Sequence, residues 1–301
     1  MPPIVETLRP PQWVKNVFVF AALAFGNRLL DPLAVELALL AFAAFCLASS
    51  AGYIVNDILD RQRDRLHPVK KDRPIASGRV GLPTALTTAA VLLAGVAAIC
   101  AAMLPRPLWA AVGAYLALTL LYSLFLKHRM ILDVIVIAVL FVLRAVGGAV
   151  AIGVQASPWL LICTFMLCMF LGFGKRRCEI AMLSGGGGDL RGHRPILERY
   201  TPTLLTHLLS TSGGIAILTF LLYTLDASHP SPFPQKHLLV YTLPLVVYGI
   251  FRYAMLIELG KAVGPTDLII KDPPFLLAIG LWVLIAVAIL YGTPPPAAVA
   301  G

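Results

Sequence analysis

The sequence predicts an all-α, polytopic membrane protein with nine transmembrane helices. Three observations predict it. Of 301 residues, 59% are hydrophobic and only 13% charged, about half the charged fraction of a soluble domain, and the mean hydropathy is +0.85. The apolar residues gather into runs near the roughly 20 residues that a spanning helix needs. No period-two alternation is sustained, and backbone groups in lipid must then be satisfied within helices.

Taken in order, the predicted spans are Trp13–Leu30, Val35–Val55, Pro83–Leu104, Leu108–Leu126, Ile131–Gly153, Pro158–Gly174, Thr203–Leu225, His237–Ile257 and Phe275–Tyr291. Met1–Val14 has two early prolines and no basic segment before an apolar core, so a cleaved signal peptide is not expected. Residues 1–292 read as one transmembrane domain. The Pro/Ala-rich tail 293–301 reads as disordered.

Between spans, Lys and Arg are unevenly shared. Arg61 to Arg79 hold seven of them, Lys127 and Arg129 follow the fourth span, Lys175 to Arg199 follow the sixth, and Lys261 and Lys271 follow the eighth. The alternate loops carry almost none. Basic loops stay in the cytoplasm, so the N-terminus is expected inside and the C-terminus outside. Every charged cluster then faces the cytosol, where soluble phosphorylated metabolites are.

The net charge of +9 points to phosphate-bearing partners or anionic lipid. A basic tail interleaved with aromatics is missing, so nucleic acid is not an expected partner. The five cysteines are scattered in apolar runs without a CxxC pair, and read as packing residues.

The most charged stretch is Asn56-Asp57-Ile58-Leu59-Asp60-Arg61-Gln62-Arg63-Asp64. On a helix, Asp57, Asp60 and Asp64 share one face within about 60°. Three carboxylates so placed repel unless a cation sits among them. Mg²⁺ suits, because it takes oxygen ligands and leaves positions for substrate phosphates. Asn56, Asp57, Asp60 and Asp64 are therefore the candidate metal ligands, with Lys71 and Arg73 close downstream.

Two further clusters are basic. Lys175, Arg176 and Arg177 follow Gly172-Phe173-Gly174 and leave only Glu179 as a carboxylate. Arginine there suits a phosphate monoester, gripped bidentately, although orienting the chain in the membrane would use the same residues. Arg9, Gln12, Lys15 and Asn16 open the first span and read as a phosphate handle beside lipid, while Lys15 alone could snorkel to headgroups. Ser184–Asp189 is glycine-rich, and a plain linker is the simpler reading. Arg144 lies midway along the fifth span, where a charge is costly unless it is paired or faces a cavity. It is expected to support an anionic substrate, with a carboxylate pair as the alternative. Tyr122 and Lys127 end the fourth span.

NDxxDxxxD at the end of a second span resembles the first Asp-rich motif of the UbiA superfamily of intramembrane prenyltransferases, whose members build nine helices around a central cavity opening to the cytoplasm. The resemblance implies that these aspartates bind Mg²⁺, which holds a diphosphate leaving group. The second Asp-rich motif of that superfamily is replaced here by Gly174-Lys175-Arg176-Arg177. With Leu8-Arg9-Pro10, Gln12–Asn16, Lys71–Gly78 and Leu143–Gly148, the chain resembles one branch, the decaprenyl-phosphate phosphoribosyltransferases of actinobacterial cell-wall arabinan synthesis. That branch implies 5-phosphoribosyl 1-diphosphate as donor, a polyprenyl (decaprenyl) phosphate as acceptor, a plasma-membrane location, and catalytic roles for Asp57, Asp60, Asp64 and Arg144. Lys175–Arg177 would take the 5-phosphate and Arg9–Asn16 the lipid phosphate. An aromatic or quinone prenyltransferase is the alternative, and an anion transporter a second one. Small residues on many helix faces are compatible with a homo-oligomer.

Overall fold

The computed structural model describes residues 2–67, 70–185, 199–227, 232–259 and 272–292, and among them every regular element is helical. Most of the Ser184–Asp189 loop, Arg191, Arg194, Lys261, Lys271 and the tail 293–301 lie outside the described residues. Among the described residues, eight helices are long and apolar enough to cross a membrane. The chain divides into two units. The first holds α1 (Pro3–Leu8), a 3-10 helix (Pro10–Phe20), α2 (Ala21–Phe25), α3 (Pro32–Leu59), α4 (Arg61–Leu66), α5 (Leu82–Met103), α6 (Arg106–Leu124) and α7 (Leu132–Ala151). The second holds α8 (Pro158–Gly185), α9 (Pro202–Leu225), α10 (Leu243–Glu258) and α11 (Pro273–Tyr291).

The starts of these helices are written in the sequence. Asp31, Thr201 and Asp272 each cap a helix through a side-chain oxygen, and each is followed by proline at the first helical position. The oxygen satisfies an orphan N–H, and proline has none to lose there.

The segment expected as the first span is wound differently. Eleven residues, Pro10–Phe20, are 3-10 helical before α2 takes over. At about 2.0 Å rise per 3-10 residue and about 1.5 Å per α residue, Pro10–Phe25 reaches roughly 30 Å, the thickness of a hydrocarbon core. The tighter winding gives a short segment the reach of a span. It also reassigns faces, because side chains three apart now align. Pro11, Val14 and Val17 are exposed, Gln12, Lys15 and Phe18 half-buried, and Asn16 and Val19 buried.

α3 is the axis of the first unit. Ala34, Ala38, Ala41, Phe45, Ala48, Ala51 and Ile54 recur in steps of three and four and are essentially inaccessible. Mostly alanine, this stripe lets neighbouring backbones come close, and Asp57 is its next member, 4% exposed. A buried carboxylate therefore ends an apolar seam. α7 closes on the 3-10 helix at Gly147 and Gly148. A Cβ at Gly148 would strike the backbone carbonyl of Val19, and one at Gly147 would meet the Phe45 ring at 2.5 Å. This approach brings Arg144 to Asn16.

In the second unit α8 packs along α9 and α10 along α11. Arg252 forms a two-bond ion pair at 3.0 and 2.9 Å with Asp272, the cap of α11.

Because backbone cannot yield as a side-chain tip does, Gly148→Ala is expected to cost about 1–3 kcal/mol. Thermal melting of the detergent-purified protein checks this, with Gly113→Ala, where a Cβ meets nothing within 4 Å, as the unaffected control.

Candidate active site

The end of α3 and the start of α4 place the acidic motif. The helix breaks at Asp60, which adopts φ −90°, ψ 0°, so the expected single acidic face divides. Asp57 and Asp64, both buried, turn to one side. Arg73 Nη1 donates to Asp57 Oδ1 at 3.1 Å and to Asp64 Oδ2 at 2.7 Å. Arg9 Nη2 donates to both Asp57 oxygens, at 2.6 and 2.8 Å. Asp60 turns to the end of α6, where Lys127 Nζ donates to both of its oxygens at 2.7 Å and to Asn56 Oδ1 at 3.3 Å.

Each partner is held by local structure. Arg9 ends α1 in the left-handed region, φ 54°, a conformation that costs a non-glycine residue about 1 kcal/mol or more. Its guanidinium also lies 5.0 Å from the centre of the Tyr53 ring, one helical turn before Asp57. The Leu8 carbonyl accepts from Ser50 Oγ, whose oxygen accepts from Trp13 Nε1. Arg73 sits in a turn anchored by buried Ile75 and Ala76. Arg65 Nε donates to the Ala76 carbonyl, Ser77 Oγ to the Arg73 carbonyl, and Gly78 closes the turn at φ 82°, where a side chain would strain the backbone.

Deeper in the same unit lies a second polar group. Arg144 is buried, and its Nε donates to Asn16 Oδ1 at 2.6 Å, Nη1 to the Leu140 carbonyl at 2.8 Å, and Nη2 to Tyr115 Oη at 2.9 Å. It also lies over the Tyr115 and Phe141 rings. Asn16 Nδ2 donates to Cys46 Sγ and Ser49 Oγ. The carboxylate alternative for Arg144 is not met: its partners are neutral. Lys15, facing the charges of Arg144 and Arg9, has no hydrogen-bond or ion-pair partner among the described residues.

The other expected residues are less concentrated. Lys71 is exposed, and Tyr122 packs half-buried against the apolar core. Lys175, Arg176 and Arg177 lie on the last turns of α8, where consecutive residues diverge by about 100°. Accordingly Lys175 is exposed and Arg176 buried, bonded to Glu179 at 2.6 Å. Arg177 bonds Glu258 at 3.1 Å, and Thr206 donates to the same carboxylate. Tyr53 and Tyr115 were missed by the sequence reading. The i, i+4 spacing to Asp57 marks Tyr53, whereas nothing local marks Tyr115.

In the first unit three carboxylates thus meet three cations, Arg9, Arg73 and Lys127. Lys15 and Arg144 remain as surplus positive charge. Among the described residues no three His, Cys, Asp or Glu side chains converge on one point. Mg²⁺ needs no such cage: one or two carboxylates suffice when phosphate and water complete an octahedron. The donor set is hard oxygen throughout, and the residues fit such an ion.

Removing Arg73 leaves Asp64 buried without that cation, beside an Asp57 that keeps Arg9. Arg73→Ala is expected to destabilise by about 3 kcal/mol, and Arg73→Ala with Asp64→Asn by less than the sum of the single changes. Thermal melts of the three variants measure that coupling.

The sequence matches the UbiA prenyltransferase family over residues 16–271. It is 34% identical to the decaprenyl-phosphate phosphoribosyltransferase of Mycobacterium tuberculosis, over 96% of this chain and 95% of that one. With the enzyme of the same name from Corynebacterium glutamicum it shares 32% over 97% and 87%. The fold is similar to that of a UbiA homolog from Archaeoglobus fulgidus bound to GPP and Mg²⁺, with a TM-score of 0.70 at 19% identity, covering 96% and 99% of the two chains. The Asp-rich end of α3, the all-helical membrane fold and these likenesses agree, and the chain belongs to the UbiA prenyltransferase family.

Proposed function

We propose that the protein transfers a 5-phosphoribosyl group from 5-phosphoribosyl 1-diphosphate to a polyprenyl phosphate, decaprenyl phosphate in the relatives' case, releasing diphosphate. The observation that carries this reading is likeness over nearly the whole chain to two enzymes of that name. The site chemistry supports it. The substrates together bring three phosphate-bearing ends, and the chain offers acidic oxygens at one place and basic groups at others.

Asn56, Asp57, Asp60 and Asp64 hold Mg²⁺ in this reading. When bound, the ion neutralises charge that develops on the departing diphosphate. Lys127 and Arg73, already at those carboxylates, exchange one anion for another as the diphosphate arrives. The 5-phosphate is assigned to the basic turn Lys175, Arg176 and Arg177, where Lys175 is exposed and the two arginines would have to exchange Glu179 and Glu258 for it. The C1–O bond to diphosphate breaks, and its electron pair leaves with diphosphate. A lipid phosphate oxygen forms the new bond to C1, with inversion. That oxygen is anionic at neutral pH, so no general base is required. What the residues must supply is charge that lets two anions meet. The site opens to the cytosol of a plasma-membrane protein whose N-terminus is inside and C-terminus outside, and the product serves as a cell-wall arabinan precursor.

The test is purified protein with Mg²⁺, labelled phosphoribosyl diphosphate and polyprenyl phosphate. Labelled lipid and stoichiometric diphosphate are expected. Asp57→Asn and Asp60→Asn are each expected to lower diphosphate release by about 10²-fold or more while the protein still inserts. Full activity in both variants contradicts the metal assignment. Prenylation of an aromatic acceptor without labelled lipid contradicts the reaction.

A further inference from the structure

The 3-10 winding of Pro10–Phe20 separates residues that an α-helix would have kept together. Gln12, Lys15 and Asn16 share one α-helical face. Here Asn16 turns into the core, with its amide donating to Cys46 and Ser49 and its carbonyl taken by Arg144. Arg9 is committed to Asp57 by two bonds. Of the four residues expected to form one phosphate handle, two are therefore occupied.

Gln12 and Lys15 are not. Three residues apart, they eclipse on one ridge of the 3-10 helix, and neither side chain has a hydrogen-bond partner among the described residues. The ridge continues to Phe18, whose ring meets Phe141 of α7 at 5.0 Å. That same Phe141 ring lies under the Arg144 guanidinium. Beside this ridge runs the exposed apolar one: Val14 is 58% and Val17 50% exposed, surface that in a membrane faces acyl chains. Lys15 stands about 10 Å along the segment from Pro10.

A half-buried ammonium that feels the charges of Arg144 and Arg9 is costly as it stands. Arg9 has its carboxylate, but Lys15 and Arg144 have none, and uncompensated charge in an apolar surround demands a counter-ion. With exposed valines alongside, an anion carried on an apolar chain suits that place.

We infer that Gln12 and Lys15 form the subsite for the phosphate of the isoprenoid acceptor, and that Arg144 is a positioning residue for it. Arg144 fixes the ridge through Asn16, and Tyr115 and the Leu140 carbonyl fix Arg144. Its charge adds to the field on the phosphate while its donors stay with the protein. Arg9 belongs to Asp57 instead, on the donor side. This assignment rests on the phosphoribosyl-transfer reading and divides it between residues.

A phosphate at Lys15 has two sources, the lipid acceptor or the sugar donor, and the experiment separates them. Equilibrium binding of polyprenyl phosphate and of phosphoribosyl diphosphate is measured separately, on protein in nanodiscs, for wild type, Lys15→Met, Lys15→Arg, Arg144→Gln and Arg144→Lys. Lys15→Met is expected to weaken polyprenyl phosphate binding by about 10- to 100-fold, the worth of one charged hydrogen bond, and to leave donor binding unchanged. Lys15→Arg retains most of the affinity. In steady-state turnover of the same nanodisc preparations, Arg144→Gln raises the acceptor KM more than it lowers kcat, and Arg144→Lys restores part of that loss, a pattern that simple destabilisation does not produce. Unchanged acceptor binding in Lys15→Met overturns the assignment, as does loss of donor binding in its place. Wild-type protein that binds neither ligand overturns the transfer reading itself, which separates the two failures.

Discussion

The structure of the first unit depends on one constraint: a carboxylate, Asp57, ends the apolar seam of α3 and has to be compensated there. Alanines along the seam draw neighbouring segments in, and at its end those segments deliver arginines. Arg9 arrives from the N-terminal arm and Arg73 from the turn after α4. Arg73 reaches Asp64 as well, so one guanidinium ties the end of α3 to α4. Coulomb attraction between such groups is strong only where water is excluded, and the buried seam provides that exclusion. Packing and charge are therefore not separate features here.

From this node the charge runs inward in an ordered way. At the helix ends, carboxylates and cations balance. Further along the N-terminal segment, Lys15 and Arg144 have positive charge and no carboxylate. Balanced charge at the helix ends and surplus positive charge further along the segment suit two different anions, one exchanging with the existing partners and one supplying a missing partner. That asymmetry is why donor and acceptor are assigned to different residues of one unit.

Much of this was legible in the sequence. Most spans from Pro32 to Tyr291 match the apolar runs to within a few residues, because lipid admits helices and little else; the sixth is the exception, since α8 runs on from the expected end at Gly174 to Gly185 and carries Lys175, Arg176 and Arg177 on the helix instead of in a loop. The Asn56–Asp64 motif and the outlying Arg144 stood out by charge in an apolar chain. Two things were not legible. The 3-10 winding of Pro10–Phe20 leaves no local signature, since its period-three exposure is set by packing of Val19 and Asn16 against α3 and α7. The break at Asp60 likewise turns that carboxylate to Lys127, a partner distant in sequence. Both change which residues share a face, so the acidic triad and the N-terminal handle each divided in two. Basic residues on α8 illustrate the same limit: adjacency in sequence is divergence on a helix, and Lys175, Arg176 and Arg177 differ in burial for that reason.

The carboxylates closing the α3 seam are proposed to gather a divalent ion and a diphosphate. Crystals or vitrified particles of the protein with Mn²⁺ and phosphoribosyl diphosphate test it most directly. One or more metal peaks bounded by oxygens of Asn56, Asp57, Asp60 or Asp64 are expected, with phosphorus density between the metal and Lys127 or Arg73. Metal and diphosphate bound away from the end of α3, with Arg9 and Arg73 still closed on Asp57, would contradict it.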